Sequence, residues 1–133
     1  MDLIKAGYSV QMYNFGAPRI GCNKWSEFLL KVWPEHYRVT HHKDIVPHNP
    51  SSGILMEFWH DCWERYEDAN GMHECNNGCE DPKCAAQWGP LSLSIDDHLL
   101  YMGMCIGSNC PNCATKSEAP VDEALLEETT FLQ

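Results

Sequence analysis

An α/β fold built on a parallel sheet is predicted by two strand-like runs, "YSVQMYNF" (residues 8–15) and "HYRVTHH" (residues 36–42), with an amphipathic stretch between them. Strand, helix and strand over this length read as a βαβ unit, whose strands lie parallel and whose crossover is right-handed. At 133 residues the chain has room for one domain, or part of one, with a real core.

The elements follow in order. "MDLIKAG" reads as the last turns of a helix, with Gly7 where a C-terminal cap belongs. A helix that starts at residue 1 is expected to have lost its beginning. In the first strand Val10 and Met12 alternate with Tyr13 and Phe15, so the run is apolar on both faces, as in a buried parallel strand; Gly16, Pro18 and Gly21 end it. Asn23 is a suitable N-cap for the helix "KWSEFLLKVW", in which Trp25, Phe28, Leu29 and Val32 fall on one face; Pro34 stops it. "ILMEFWHDCWERYE" is aromatic and alternating enough for one or two further strands. Residues 69–90, rich in glycine, proline and cysteine, read as a loop that needs covalent ties, and "SIDDHLLYMGM" as a turn into a short helix. Residues 114–133 form an acidic tail around "VDEALLEE", read as a solvated face.

Charge removes some functions. With a formal charge of −10 and no Lys/Arg cluster, the chain would repel phosphate backbones and anionic membrane surfaces, so nucleic acid is not expected as a partner. No apolar run approaches the roughly 18 residues that a membrane span requires. Eight cysteines fit disulfides formed in an oxidising compartment. The opening residues lack the basic start and apolar stretch of a secretory signal, so a chain that looks secreted is expected to be missing its N-terminal part.

Two groups of residues suggest chemistry. "THHKDIVPHNP" places Asp44 just past the carboxyl end of the second strand, where crevices form in open α/β sheets. A polar turn explains an acid beside prolines equally well. His98, in "SIDDHLLYMG", sits at a loop-to-helix junction where an imidazole can project while Leu99, Leu100 and Tyr101 anchor the next turn. An Asp44–His98 pair would be an acid and its base. His41, His42, His48 and His60 with Asp44 also admit a metal reading, but neighbouring histidines on a strand point to opposite faces and no H-x-x-x-H occurs, so they read as ordinary polar or core histidines. Among the cysteines, "CPNC" with Cys75 and Cys79 or Cys84 allows a zinc knuckle; disulfides are the preferred reading.

In this order, "YNFGAPRIG", "YRVTHHKDIVPHNP", "FWHDCWE", "CEDPKC" and "DDHLLYMG" resemble the C-terminal half of the class 3 (fungal-type) lipases, over roughly residues 1–110. The resemblance implies the C-terminal part of an α/β-hydrolase fold, a mainly parallel sheet with flanking helices plus a cysteine-rich loop region, over residues 1–113. It implies a serine esterase acting on lipid or small ester substrates, secreted in its full-length form and needing no cofactor. The family's triad acid matches Asp44 and its triad histidine matches His98. The order serine, acid, histidine would put the nucleophile upstream of Asp44. Here the sequence departs from the family, because it holds no G-x-S-x-G elbow. "GYSVQ" lacks the second glycine and lies within the strand, so Ser9 is a poor nucleophile. The missing serine is expected a few turns before Met1, and with it the oxyanion donors and the lid. The resemblance also implies a Cys75–Cys84 disulfide, since the family often bridges this region. A fragment of a carboxylic-ester hydrolase and a non-catalytic protein, either a degenerate hydrolase fragment or a cysteine-rich zinc or binding module, both remain open.

Overall fold

The computed structural model describes residues 2–33, 36–53, 56–76 and 78–106. The acidic tail and the "CPNC" pair lie outside these residues. In chain order the elements are α1 (Asp2–Lys5), β1 (Met12–Phe15), α2 (Asn23–Val32), β2 (His36–His41), β3 (Ser52–Gly53), β4 (Met56–Glu57), β5 (Glu64–Asp68), β6 (Gly71–Glu74), β7 (Leu100–Tyr101) and β8 (Met104–Cys105).

β1, β2, β5 and β6 form one sheet in that spatial order. β1 runs parallel to β2, with Tyr13 beside Tyr37, and β2 runs parallel to β5, with Val39 beside Arg65. The βαβ unit around α2 is thus present. β6 turns back antiparallel to β5, Tyr66 opposite His73. This corrects the expectation that residues 69–90 are loop throughout. The reversal is made at Ala69–Asn70, where the Asn70 amide donates to Asp68 Oδ1 at 2.7 Å and the next residue, Gly71, takes a φ of 112° that side chains resist.

α1 ends as its sequence suggests, with Gly7 at φ 87°. α2 begins one residue earlier in its capping than expected, since Cys22 is the extended N-cap and Asn23 is already helical. Its inward face differs as well. Leu29 and Ser26 are buried, the Ser26 hydroxyl donating to the His60 carbonyl at 2.5 Å, whereas Trp25 and Phe28 are exposed and lie against each other with ring centroids 5.6 Å apart. An apolar stripe on a helix states that a surface is to be covered, not that the described residues cover it.

One face of the sheet is polar yet buried. His36, Arg38, Thr40 and Glu64 all lose essentially all contact with solvent there. Arg38 Nη2 donates to Glu64 Oε2 at 3.0 Å, the Thr40 hydroxyl to Glu64 Oε1 at 2.6 Å, and the Ala85 amide to the same oxygen at 3.2 Å. Asp61 lies 3.6 Å from Arg38 Nε, and burial pushes its carboxyl above the usual range. Beside this network sits a small core of Tyr66, Cys75, Cys84 and Ala85. Cys75–Cys84 is a disulfide, as expected, and Cys62–Cys79 is a second. Cys22 is a free thiol.

Candidate active site

β2 delivers its last residue, His41, to the carboxyl edge of the sheet, and the chain then turns through His42 at φ 44°. Asp44 follows with its amide donating to the His41 carbonyl at 2.9 Å, and Val46–His48 form one turn of 3-10 helix that holds Pro47, with its fixed φ, at its second position. The second expected residue reaches the same place from far along the chain. Ser94 bridges to Asp44 in parallel, its amide donating to the Lys43 carbonyl at 2.7 Å and its own carbonyl accepting from Ile45 at 3.1 Å. Asp97 adds two ties, one from the Lys43 amide to its Oδ2 at 3.1 Å and one from His41 Nδ1–H to its carbonyl at 2.9 Å. These contacts fix the one-turn helix Asp97–Leu99, and with it His98, over the loop that carries Asp44.

The result is a hydrogen-bonded pair: His98 Nδ1 lies 3.0 Å from Asp44 Oδ2. Asp44 is 1% exposed, while the His98 side chain keeps 27% of its surface. A buried carboxylate needs donors to replace water. Val46 N–H supplies one to Oδ1 at 2.7 Å, and the Tyr101 hydroxyl supplies another to Oδ2 at 2.5 Å. With Nδ1–H directed at the carboxylate, Nε2 is the ring nitrogen free to take up a proton. Chemically, such a pair can let a carboxylate orient and support an imidazole acting as a base.

Sequence reasoning overlooked two neighbours. The sequence presents Tyr101 only as an anchor for the turn, yet it is 1% exposed and bonds the Asp44 carboxylate directly. Burial above all, and then the adjacent Asp44 carboxylate, push its phenol above its usual range, so it remains a donor. Its place three residues after His98, on the strand leaving the turn, was the available signal. Gly16, at the end of β1 with φ 62°, lies against all three side chains.

The other histidines are occupied singly rather than gathered. His48 Nδ1 and Nε2 lie 2.8 and 3.1 Å from the Asp44 and Ala85 carbonyl oxygens, and His42 stacks on Trp88 with centroids 5.8 Å apart. His60 Nε2 meets the Pro47 carbonyl at 2.6 Å, and burial, with Arg38 and Arg19 nearby, lowers its pKa to about 2. Among the described residues one trio has the mutual spacing of metal ligands, Glu64, Cys75 and Cys84, but its two sulfurs are joined to each other. Cys79, a further candidate for a zinc knuckle, is bonded to Cys62. Ser9 is exposed in the segment between α1 and β1. A cleft of about 440 Å³ adjoins the acid loop, lined by Ile45, His48, Asn49, Trp88 and Leu93 among others, with neither Asp44 nor His98 in its wall.

Comparison with known proteins shows what the chain is similar to. Residues 1–53 match the family described as Lipase (class 3). The secreted mono- and diacylglycerol lipase 1 of Fusarium solani is 26% identical over 134 residues, covering 94% of this chain and 40% of that protein. A lipase of Rhizomucor miehei is 25% identical over 97 residues, 72% of this chain and 26% of its own length. Among solved structures, the lipase from Rhizopus microsporus var. chinensis superposes with a TM-score of 0.67 at 29% identity, covering 78% of this chain and 38% of that one. The triacylglyceride lipase of Rhizomucor miehei superposes with a TM-score of 0.68 at 25% identity, over 78% and 41% of the two chains. The chain thus spans about two-fifths of the length of these relatives or less.

Proposed function

We propose, from the match of residues 1–53 to the class 3 lipase family and the likeness to fungal lipases of α/β-hydrolase fold, that the chain is the acid-and-base portion of a secreted serine carboxylic-ester hydrolase acting on acylglycerols. Asp44 is the triad acid and His98 the general base. The observation that carries this reading is the 3.0 Å bond between a buried carboxylate and a part-exposed imidazole whose positions lie 54 residues apart in sequence. No local turn requires such a contact.

The sequence holds no G-x-S-x-G, so in this reading the nucleophilic serine comes from an elbow upstream of Asp44 in a longer parent. His98 Nε2 removes the serine proton as Oγ attacks the ester carbonyl, and Asp44, still ionised, stabilises the imidazolium through Nδ1–H. The same proton then passes to the departing alcohol. In deacylation, water attacks the acyl-enzyme, His98 again accepts the proton, and it is returned to the serine as the fatty acid leaves.

On its own, this chain lacks the group that His98 would activate, and the members of a triad act as a unit. The purified 133-residue chain is expected to hydrolyse p-nitrophenyl esters at a rate indifferent to His98→Ala and to take no label from a serine-directed phosphonate. Phosphonate labelling at Ser9, or hydrolysis by this chain that is lost in His98→Ala, would overturn the assignment of the nucleophile to an upstream elbow.

A further inference from the structure

Asp44 Oδ2 is shared by two donors, His98 Nδ1–H at 3.0 Å and the Tyr101 hydroxyl at 2.5 Å. Each hydrogen bond to a carboxylate draws charge toward its own donor, so a hydroxyl on the same oxygen weakens what remains for the imidazolium. It also holds the carboxylate's rotation: with Val46 N–H fixing Oδ1 and Tyr101 fixing Oδ2, the plane facing His98 has little freedom. We propose that Tyr101 is a positioning residue that sets how strongly Asp44 supports the protonated His98, an inference that rests on reading His98 as the general base. A base that is held less tightly in its protonated form returns the proton more readily to a leaving alcohol.

Packing alone does not explain the hydroxyl. The Tyr101 ring meets Phe15 edge-on at 5.8 Å and His41 at 5.6 Å, contacts that a phenylalanine would keep. The other charged and titratable groups on the turn that carries His98, or meeting it, are Asp96 and Asp97, with His41, His42 and Lys43 of the segment beneath contacting Asp97. All of these remain when only the hydroxyl is removed, so its effect can be read separately.

The test is to follow the His98 imidazole by ¹⁵N NMR against pH in this chain, in Tyr101→Phe, in Asp44→Asn, and in chain made with 3-fluorotyrosine. Tyr101→Phe is expected to raise the His98 pKa by about half a unit or more, since the freed carboxylate holds the imidazolium harder. Fluorination makes the phenol a stronger donor and is expected to lower it. An unmoved or lowered value in Tyr101→Phe overturns the proposal. If Tyr101→Phe does not fold, the fluorinated chain decides, and an unmoved value there overturns it equally. Asp44→Asn separates this from the underlying reading. A fall in the His98 pKa there with no response to Tyr101 leaves the acid–base pair intact and removes the tyrosine's role, whereas no response in Asp44→Asn removes the pair itself.

Discussion

Gly16 packs against Asp44 so closely that a Cβ at position 16 would stand 2.8 Å from the carboxylate Oδ2, and the same atom would reach 2.9 Å from His98 Nδ1. Gly16 also holds φ 62°. The end of β1 is therefore a wall of the candidate site, and it is a wall because it lacks a side chain. Gly16→Ala is expected to cost about 1–3 kcal/mol from its backbone conformation, with the clash in addition. Gly7→Ala makes the control, because Gly7 shares a positive φ of 87° but has nothing within 4 Å of its Cβ position. Urea unfolding should rank Gly16→Ala clearly below Gly7→Ala; equal losses would contradict the close packing around Asp44.

His60 should make the chain sensitive to acid. Its folded pKa, near 2, lies below the 6.5 of the unfolded chain. Between these values the unfolded state binds a proton that the folded state refuses, so stability rises with pH across that window and is lost as pH falls below about 6.5. The slope from this one group approaches about 1.4 kcal/mol per pH unit. Unfolding measured from pH 7 to pH 5 should show a shallower loss in His60→Gln than in the parent chain, and an identical slope would contradict it.

Arg38 holds two buried acids. Glu64 is 1% exposed and Asp61 5% exposed, so Arg38→Met leaves both without their cation, an expected loss of about 3–5 kcal/mol. Arg38→Met/Glu64→Met should recover part of it, because one stranded charge is removed along with the partner. Denaturant midpoints measure both. A double variant weaker than the single one would show that Glu64 is held mainly by Thr40 and the Ala85 amide.

The sequence carried some of this plainly and some not at all. Asp44 was visible because a strand-like run ends just before it and prolines follow. β1, α2 and β2 were visible because each has a regular period. The hairpin β5–β6 was not, since exposed Met72 and His73 give β6 no apolar alternation to read. Trp25 and Phe28 misled in the other direction: helical spacing identified a stripe, but burial depends on what lies opposite. Tyr101 and Gly16 are invisible to pattern reading because their importance comes from a meeting of β1, the loop after β2 and the 94–101 segment. The resemblance to class 3 lipases, rather than any local chemistry, is what joined His98 to Asp44.

The central claim is that His98 is the base of a serine esterase whose nucleophile lies upstream. Its most direct test is the rate of short-chain p-nitrophenyl ester hydrolysis by a protein extended upstream to include a G-x-S-x-G segment, compared with the same protein carrying His98→Ala. Loss of a triad member in a serine hydrolase lowers kcat by about 10⁴-fold or more. The account predicts an active extended enzyme and a fall of that order in the His98→Ala variant. An extended enzyme that hydrolyses the ester equally well without His98 would contradict it.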